Sequence, residues 1–530
     1  MKKFIIWFVV ILLALALVVF AVDFVQGKLN TEPVESKTES LSNDESSTET
    51  ESSTETQEPS QDESSSVVPD EPQEPEEIVV STYEELTTAL ASAEDGAVIA
   101  IPASFSFTDT LCVEDKNIQI VFAEDVSNGT ISLELKNGEL KILNGEFDGI
   151  DVSGNGTLVL DNVNSVATVL GDSGVSLADN ADIEIQIIGS VSLIGAIDGD
   201  GIEVPGNAKL TLWGDSLIVK GNAGFEYSEY EGYGTTDDTS FNGKTGSGIG
   251  NAFNEVGTIT ISNLKNLVAE GYGVHAFGIG GGNNATITIS NTVIEYAKGG
   301  FVTPDFINDA KYGKTELEGG SAIGVGIDGG QTGKIILNNV TVHKAEGGSK
   351  SSAIGASYWC GAEIEIRNCT LENILGGNSS AGIGGSRVRQ DNPFEQVISI
   401  KIYDSTINST GGVYGAGIGN GYDVNCSSTP SVCHIEICGN SNITAKGGKY
   451  GAGVGTGYHT GNLTGFIEES VVISATCGDE NFYKEAYTTA QNIGYGVCDP
   501  SRDMSNETIT FTVAGQVIEN PVDLIATETE

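Results

Sequence analysis

Aromatic and charged residues recur at one position of a repeated Gly-Ile-Gly element. Four residues after the central apolar residue of this element, successive repeats carry Tyr358, Arg387, Tyr422 and Tyr458, and the adjoining position adds Trp359 and Asp423. Flat rings beside Arg and Asp side chains offer apolar faces to sugar rings and hydrogen-bonding edges to hydroxyl groups. The row therefore predicts a carbohydrate-binding surface. The alternative is that the tyrosines pack against one another and shield a turn.

Catalytic arrangements are scarce in this sequence. Arginine is rare, and Arg387 with Arg389 is the one pair that could face a single direction from a strand. Asp237–Asp238 lies in a Gly- and Thr-rich insertion without a basic partner, which is typical of a solvated loop. Asp328 and Asp423 hold equivalent positions three repeats apart, or about 14 Å, beyond the roughly 5 to 9.5 Å between the carboxyl groups of glycosidases. We predict no catalytic residue.

The cysteines lack the paired Cys-x-x-Cys spacing of zinc ligands, and no metal site is predicted. The many acids leave calcium binding open as a cofactor. Outside the cell disulfides are favoured, and the predicted pairs are Cys426 with Cys433, Cys360 with Cys369, and Cys477 with Cys498. The alternative is that all eight cysteines stay reduced in an anaerobic host. The histidines share no spacing, so we predict surface positions for His275, His343, His434 and His459.

Three short strands per repeat must position these residues. The central residues of the Gly-Ile-Gly elements are Ile249, Ile279, Ile323, Ile354, Ile383, Ile418, Val454 and Ile493. An x-Ile-x-Ile strand follows each of the first six, and a third strand then ends at a glycine-rich turn. Strands with Gly and Asn corners and no intervening helix predict an all-β solenoid whose coils stack. A doubly wound fold is excluded because it needs crossover helices.

An asparagine row accompanies the second strand of each repeat. Two residues after its second apolar residue stand Asn263, Asn291, Asn339, Asn368 and Asp404, with Asn440 one position later in the next repeat. Period-two alternation predicts that these side chains point inward. Amides stacked from coil to coil would then satisfy one another by hydrogen bonds. We interpret this row as a structural ladder.

The start of the ordered region carries a helix signal. Ser81 followed three residues later by Glu84 is a capping-box pattern, and Gly96 supplies a stop. This helical cap and the coils after it resemble the pectin-lyase-like right-handed β-helix superfamily. Gly-Ala-Gly-Ile-Gly at 415–419 and Gly-Ala-Gly-Val-Gly at 451–455 resemble repeats of adhesin-like and carbohydrate-binding surface proteins of anaerobic bacteria. The likeness covers 240–513 well and 78–221 in general pattern.

The resemblance implies a right-handed parallel β-helix that either cuts or binds polysaccharide. Polygalacturonase-like members carry Asn-Thr-Asp, Gly-His-Gly and Arg-Ile-Lys motifs, none of which occurs in this chain. Pectate-lyase-like members need calcium-binding acids beside an Arg base, and arginine is scarce here. We therefore expect a non-catalytic protein that binds a polysaccharide or surface glycan, with a lyase or glycoside hydrolase and a passive surface spacer as alternatives.

The N-terminal residues predict export and tethering. Two lysines precede an uncharged run at 4–22, which is long enough to span a bilayer and has the positive-inside orientation. A cleavable signal peptide is the alternative. The expected order is cytoplasmic residues 1–3, anchor 4–22, disordered acidic linker 23–78, cap 79–96, β-helix 97–519 and tail 520–530. This places the protein in the cell membrane, single-pass, with its C-terminal domain extracellular.

A net charge of -49 argues against nucleic acid as a partner.

Overall fold

Short strands separated by glycine and asparagine corners make up most of the described chain. The computed structural model describes residues 77–518, apart from 125, 224–244, 252–255, 301–317, 327–331, 389–394, 424–430, 460, 479–490 and 498–507. The predicted anchor, the predicted tail and nearly all of the predicted linker lie outside these residues. Within the described ranges, no helix has the length and apolar character needed to cross a membrane.

Helix α1 (Tyr83–Ser92) confirms the predicted N-terminal helix, although its cap lies one residue later than predicted. Thr82, not Ser81, is the N-cap: its hydroxyl accepts from the Glu85 amide at 3.2 Å, and the Glu85 carboxylate accepts from the Thr82 amide at 3.1 Å. The reciprocal box needs its acid at the third helical position, which Glu85 occupies. Leu86 and Leu90 of α1 are buried and belong to the same core as the first coils.

The strands, numbered in chain order, are short and begin at Glu77. Before residue 221 they are Glu77–Val79 (β1), Ala97–Ile101 (β2), Leu111–Glu114 (β3), Asn117–Phe122 (β4), Ser127–Asn128 (β5), Ile131–Leu143 (β6), Glu146–Phe147 (β7), Ile150–Asp161 (β8), Asn164–Val166 (β9), Val175–Leu177 (β10), Asp182–Ile194 (β11), Ile202–Glu203 (β12) and Lys209–Lys220 (β13). The next are Thr245–Gly246 (β14), Ile249–Asn251 (β15), Thr258–Glu270 (β16), Tyr272–Gly273 (β17), Ile279–Gly281 (β18), Thr286–Ser290 (β19), Val293–Lys298 (β20), Ile323–Val325 (β21), Thr332–Asn338 (β22), Thr341–Val342 (β23), Ala345–Glu346 (β24), Ile354–Ala356 (β25) and Gly361–Arg367 (β26). The last are Thr370–Leu375 (β27), Ile383–Gly384 (β28), Val397–Tyr403 (β29), Thr406–Thr410 (β30), Ile418–Gly419 (β31), Val432–Cys438 (β32), Asn442–Lys446 (β33), Val454–Gly455 (β34), Asn462–Ile467 (β35), Val472–Thr476 (β36), Ile493–Gly494 (β37), Ile509–Val513 (β38) and Gln516–Val517 (β39).

Among the described residues, 37 of these strands form one sheet, which is parallel except where β38 meets β39. Each strand pairs with the strand at the equivalent position of the next repeat. The predicted repeat alignment is confirmed residue by residue, because Ile249 pairs with Ile279, Ile279 with Ile323, and so on through Ile354, Ile383, Ile418, Val454 and Ile493. This pairing is consistent with the predicted all-β solenoid.

Alternating side chains of the x-Ile-x-Ile strands build the core. Ile259 and Ile261 of β16, for example, are fully buried, and so is the corresponding pair Ile435 and Ile437 of β32. Parallel register places each of these side chains directly above an apolar residue of the neighbouring coil, so rows of Ile and Leu run through one continuous core. Burial of such rows is the main stabilising contribution in the described part of the chain, which has little helix.

The asparagine row lies at the corner between the second and third strands, but the prediction that it points inward is wrong. Asn263, Asn291, Asn339, Asn368 and Asp404 have φ between 47° and 57°, and these five side chains and that of Asn440 are exposed. A left-handed residue interrupts the alternation of the strand, so its side chain turns to solvent. Asn and Asp are the non-glycine residues that adopt this conformation most readily. In the following coil Gly439 takes it, with φ of 68°.

Side-chain oxygens of this row accept hydrogen bonds from the following coil at two places in the described part of the chain. The Asn339 amide donates to Asn291 Oδ1 at 2.8 Å, and the Asn440 backbone N–H donates to Asp404 Oδ1 at 2.9 Å. The buried polar ladder is instead formed by the residue that directly precedes the third strand of each coil. There the Cys369 N–H donates to Ser405 Oγ at 3.0 Å, and the Ser405 N–H donates to Ser441 Oγ at 3.3 Å.

Charged side chains of alternating sign form a second ladder along the third strands. Lys220, Glu270, Lys298 and Glu346 are successive register partners. Glu270 accepts from Lys220 at 2.8 Å, lies 3.5 Å from Lys298, and also accepts from the Tyr272 hydroxyl at 2.7 Å. Burial raises the pKa of Glu270, but the hydrogen bonds from Lys220 and Tyr272 outweigh it and the net shift is downward. Burial dominates at Lys298 and lowers its pKa.

Candidate functional site

The predicted row of aromatic and charged residues is brought together at the corner after the Ile-Gly strands. Backbone hydrogen bonds join it from coil to coil: Trp359 N–H donates to the Arg387 carbonyl at 3.1 Å, and Asp423 N–H donates to the Tyr458 carbonyl at 3.1 Å. The Val388 N–H donates to the Tyr422 carbonyl at 2.8 Å. The sequence position four residues after the apolar residue therefore corresponds to one continuous row in space.

The opposite corner of the same coils contributes two more aromatic rings. Tyr414 and Tyr450 stack with centroids 5.0 Å apart, and Tyr414 stacks on Tyr422 at the same distance. Tyr458 lies 5.2 Å from Tyr450 and 5.4 Å from Tyr422. We call these four residues the tyrosine cluster. Val413 and Val497 pack against it and complete a small apolar core outside the main one.

Glycines beneath the cluster explain why it can form. In the Ile-Gly strands the isoleucine points inward, and the next residue, such as Gly419 of β31, faces outward. Gly419 has φ of 138°, and a Cβ atom built on it would overlap the carbonyl oxygen of Gly455 in the next coil. Without side chains on this face, the two flanking corners close over the strands: Tyr458 N–H donates to the Tyr414 carbonyl at 2.8 Å.

Burial divides the predicted binding residues. Tyr358, Tyr458 and Asp423 are between 4% and 8% exposed, so they present little surface to a ligand. Tyr422 and Arg387 are partly exposed, as is Tyr414 of the cluster. Most of the ring contacts fit the alternative in which the tyrosines pack against one another. Tyr414 and Tyr422 nevertheless form a partly exposed edge of the cluster, which we call the tyrosine edge.

Cationic side chains lie over several tyrosine rings at these corners. The Arg387 guanidinium carbon is 5.5 Å from the centroid of Tyr422, and Lys350 Nζ is 5.1 Å from the centroid of Tyr358. Such contacts are worth roughly 0.5 to 2 kcal/mol, depending on desolvation. Arg387 therefore extends the accessible tyrosine edge with hydrogen-bond donors. Asp423 does not reach this edge: Ser431 Oγ donates to its carboxylate at 3.3 Å within the corner.

A buried His-Glu-Lys group lies at the corner that precedes the Ile-Gly strands in earlier coils. His275 is 5% exposed, so its predicted surface position is wrong. Its Nε2 lies 3.3 Å from the Glu318 carboxylate, which is 3.5 Å from Lys350 Nζ. His275 and Lys350 both adopt positive φ, 55° and 65°. The spacing of the histidines does not indicate this group, because its three members are different residue types that come from coils of unequal length.

The buried imidazole predicts a pH effect on stability. Burial, assisted by the charge of Lys350, lowers the pKa of His275 to about 4 despite the adjacent Glu318 carboxylate. The unfolded chain, with a histidine pKa near 6.5, binds the proton more tightly, so stability is fully present above about pH 6.5 and is lost as pH falls toward 4. We expect His275 to account for about 3 kcal/mol of this loss. Urea unfolding at pH 7 and pH 4.5 should show a clearly smaller difference for His275→Gln; an unchanged difference would contradict the assignment.

One predicted disulfide is wrong. Cys360 and Cys369 flank strand β26 at opposite ends, and an extended strand of that length keeps their Cα atoms far beyond the roughly 7 Å that a disulfide allows. The Cys369 thiol donates instead to the Arg367 carbonyl at 3.0 Å. The Cys433 side chain points into the core, and burial raises the pKa of its thiol. Its predicted partner Cys426 lies outside the described residues, as does Cys498, so those two pairings stay predictions.

Several residues that the sequence offers for catalysis lie outside the described part of the chain. Arg389, Asp328 and Asp237–Asp238 lie outside the described residues. Among the residues that the structure does describe, no group of three or more His, Cys, Asp or Glu side chains is placed to hold a metal ion. Partly exposed aromatic rings beside a guanidinium can stack on a sugar ring and donate to its hydroxyls.

No protein-family model matches this chain, and no curated protein is similar to it at a significant level.

Proposed function

We propose that this chain is a membrane-tethered surface protein that binds a polysaccharide or surface glycan without cleaving it. In this proposal residues 4–22 anchor the chain in the membrane and the linker 23–78 carries the domain away from the cell. The large parallel sheet coils as a right-handed parallel β-helix. Its stacked coils support this proposal because they repeat any surface group at a constant rise, which matches an extended repeating ligand.

The accessible edge formed by Tyr414, Tyr422 and Arg387 is the observation that carries the binding proposal. Two partly exposed tyrosine rings and a guanidinium occur together there, on a chain whose acidic surface otherwise repels anions. Neutral sugars pay no electrostatic penalty near such a surface. Catalysis is not proposed at this edge, because the nearest carboxylate of the row, Asp423, is 4% exposed.

A passive spacer is the second candidate function. The packing of the tyrosine cluster favours it, since Tyr450 and Tyr458 are 6% and 8% exposed and their rings contact one another. In that case the rings serve to close the corners over the glycine row, and no ligand is bound at this edge.

A glycan array separates these candidates. The full chain in detergent micelles, with calcium present, should retain one class of neutral glycan and release no cleaved sugar. The double variant Tyr414→Ser/Tyr422→Ser should lose at least about tenfold in affinity, because it removes both partly exposed rings of the edge.

Tyr83→Ser, which removes a partly exposed tyrosine of α1 at the far end of the solenoid, is the matched control and should bind normally. Equal binding by the double variant would reject the edge as the site. Release of shorter sugars would overturn the non-catalytic proposal, and absence of binding to every glycan would favour the spacer.

A further inference from the structure

A depression lies on a different face of the solenoid, on the outer surface of the x-Ile-x-Ile strands. It has a volume of about 230 Å³ and is lined by Lys334, Glu363, Ile364, Glu365, Ser399 and Lys401. Strands β22, β26 and β29 form its floor. The tyrosine cluster covers the Ile-Gly strands instead, so the two surfaces are formed by different strands of the coil.

Register explains how these side chains converge. Lys334, Glu363 and Ser399 are successive partners in one outward row, and Glu365 and Lys401 are partners in the row beside it. Adjacent rows lie two residues apart along each strand and neighbouring coils about 4.8 Å apart, so all five outward side chains fit within one sugar ring's reach. Ser399 is the shortest of them, and the longer side chains around it form the walls.

The wall beyond Glu365 and Lys401 is held in place by neighbours on the same face. Arg367 Nε donates to Glu365 at 2.5 Å, and the Arg367 guanidinium covers the ring of Tyr403 at 4.0 Å. Lys401 lies 3.8 Å from Glu436, which also interacts with His434 at 2.8 Å. These contacts restrict the rotamers of Glu365 and Lys401 before any ligand arrives, which lowers the entropy cost of binding.

Two charged groups at the rim of the depression are available to bind a ligand. In the described part of the chain, the Glu363 carboxylate and the Lys334 ammonium make no hydrogen bond or ion pair, and both side chains are exposed. The depression thus offers carboxylate acceptors, ammonium donors and a hydroxyl within a few ångströms. Its two lysines and two glutamates sum to zero charge, in a chain of net charge -49.

We propose that this depression binds a single neutral pyranose unit. Vicinal hydroxyls can donate to Glu363 and accept from Lys334 or Lys401, and each such charge-assisted bond is stronger than a neutral one. The Ser399 hydroxyl contacts the ring from below. A neutral polyol suits a site that presents both signs of charge, whereas an anionic ligand would meet the repulsion of the whole chain. The proposal does not depend on the tyrosine cluster.

Saturation-transfer NMR with neutral methyl glycosides and the full chain in micelles tests the proposal. At least one glycoside should receive saturation from the Tyr414→Ser/Tyr422→Ser chain, in which the tyrosine edge no longer contributes to the signal. Added to that variant, Ser399→Phe fills the depression and should abolish the signal, and Glu363→Gln should reduce it severalfold. Thr258→Phe places the same ring in the same outward row of a distant coil, and should leave the signal intact.

The outcomes separate the two sites. A signal in the tyrosine double variant that is lost when Ser399→Phe is added and kept when Thr258→Phe is added supports the depression. Retention after Ser399→Phe is added, or absence of a signal with every glycoside, overturns it. A signal that is present in the wild-type chain and absent from the tyrosine double variant would assign the sugar to the tyrosine edge and also overturn the depression, while leaving the proposed function in place.

Discussion

Replacing Gly419 by alanine should lower the free energy of unfolding by about 4 kcal/mol, the sum of backbone strain and overpacking. Gly419 has φ of 138°, a conformation that side chains disfavour, and an added Cβ would overlap the Gly455 carbonyl oxygen. The neighbouring coils can relieve the overlap only by separating, which would break the hydrogen bonds between β31 and β34. Urea unfolding followed by circular dichroism gives the free energy.

Gly96→Ala is the matched control for this experiment. Gly96 also has positive φ, 82°, but an added Cβ there meets no heavy atom within 4 Å. It should therefore cost about 1 kcal/mol from the backbone alone. If the two variants lose the same stability, close stacking of the glycine row is not what constrains Gly419, and the explanation given for closure of the tyrosine cluster is wrong.

Replacing Glu270 by leucine should destabilise the protein by about 3 kcal/mol, because it leaves the largely buried Lys298 ammonium without its nearer carboxylate. Glu270 is 8% exposed and contacts Lys220, Lys298 and the Tyr272 hydroxyl. Lys298 also covers the Tyr272 ring at 3.7 Å, so it is held in place and cannot turn to solvent freely. Urea unfolding at neutral pH measures the loss.

The double variant Glu270→Leu/Lys298→Leu tests the cause. Replacing both members of a buried ion pair by apolar residues is often close to neutral, so the second substitution should recover most of the stability. Lys209→Leu removes one member of an exposed pair with Asp182, in which both side chains are more than half exposed, and should change stability by less than about 1 kcal/mol. Further loss in the double variant would show that packing, rather than an uncompensated charge, explains the single variant.

The repeat pattern was sufficient to predict the strands and their partners. Rows such as Ile259, Ile287 and Ile335 recur at one position of each repeat, and the structure pairs them one above another. A strand has a period of two and a parallel sheet keeps its register, so the position of an apolar residue in the repeat fixes which residues it contacts. The insertions of variable length between repeats did not disturb this alignment.

Side-chain directions at the corners could not be obtained from the same pattern. Alternation predicted an inward Asn339, but the left-handed conformation at the corner turned it to solvent and made the following residue the inward one. The row of Tyr358, Arg387, Tyr422 and Tyr458 was predicted correctly as a row. The sequence left open whether its rings bind a ligand or pack against one another, because Tyr414 and Tyr450 come from the opposite corner of the coil, and sequence spacing does not show how two corners approach each other.

The sequence by itself determined the order of strands, the inward isoleucine rows and the neighbours of each coil, since these follow from periodicity along one chain. Only the tertiary structure decided which corner residues meet across the glycine row, that His275 is buried beside Glu318, and that Lys334, Glu363 and Ser399 surround a depression. Those contacts join residues from different corners or different coils. Their geometry depends on backbone conformation at the turns and on side-chain length, which a repeat pattern does not specify.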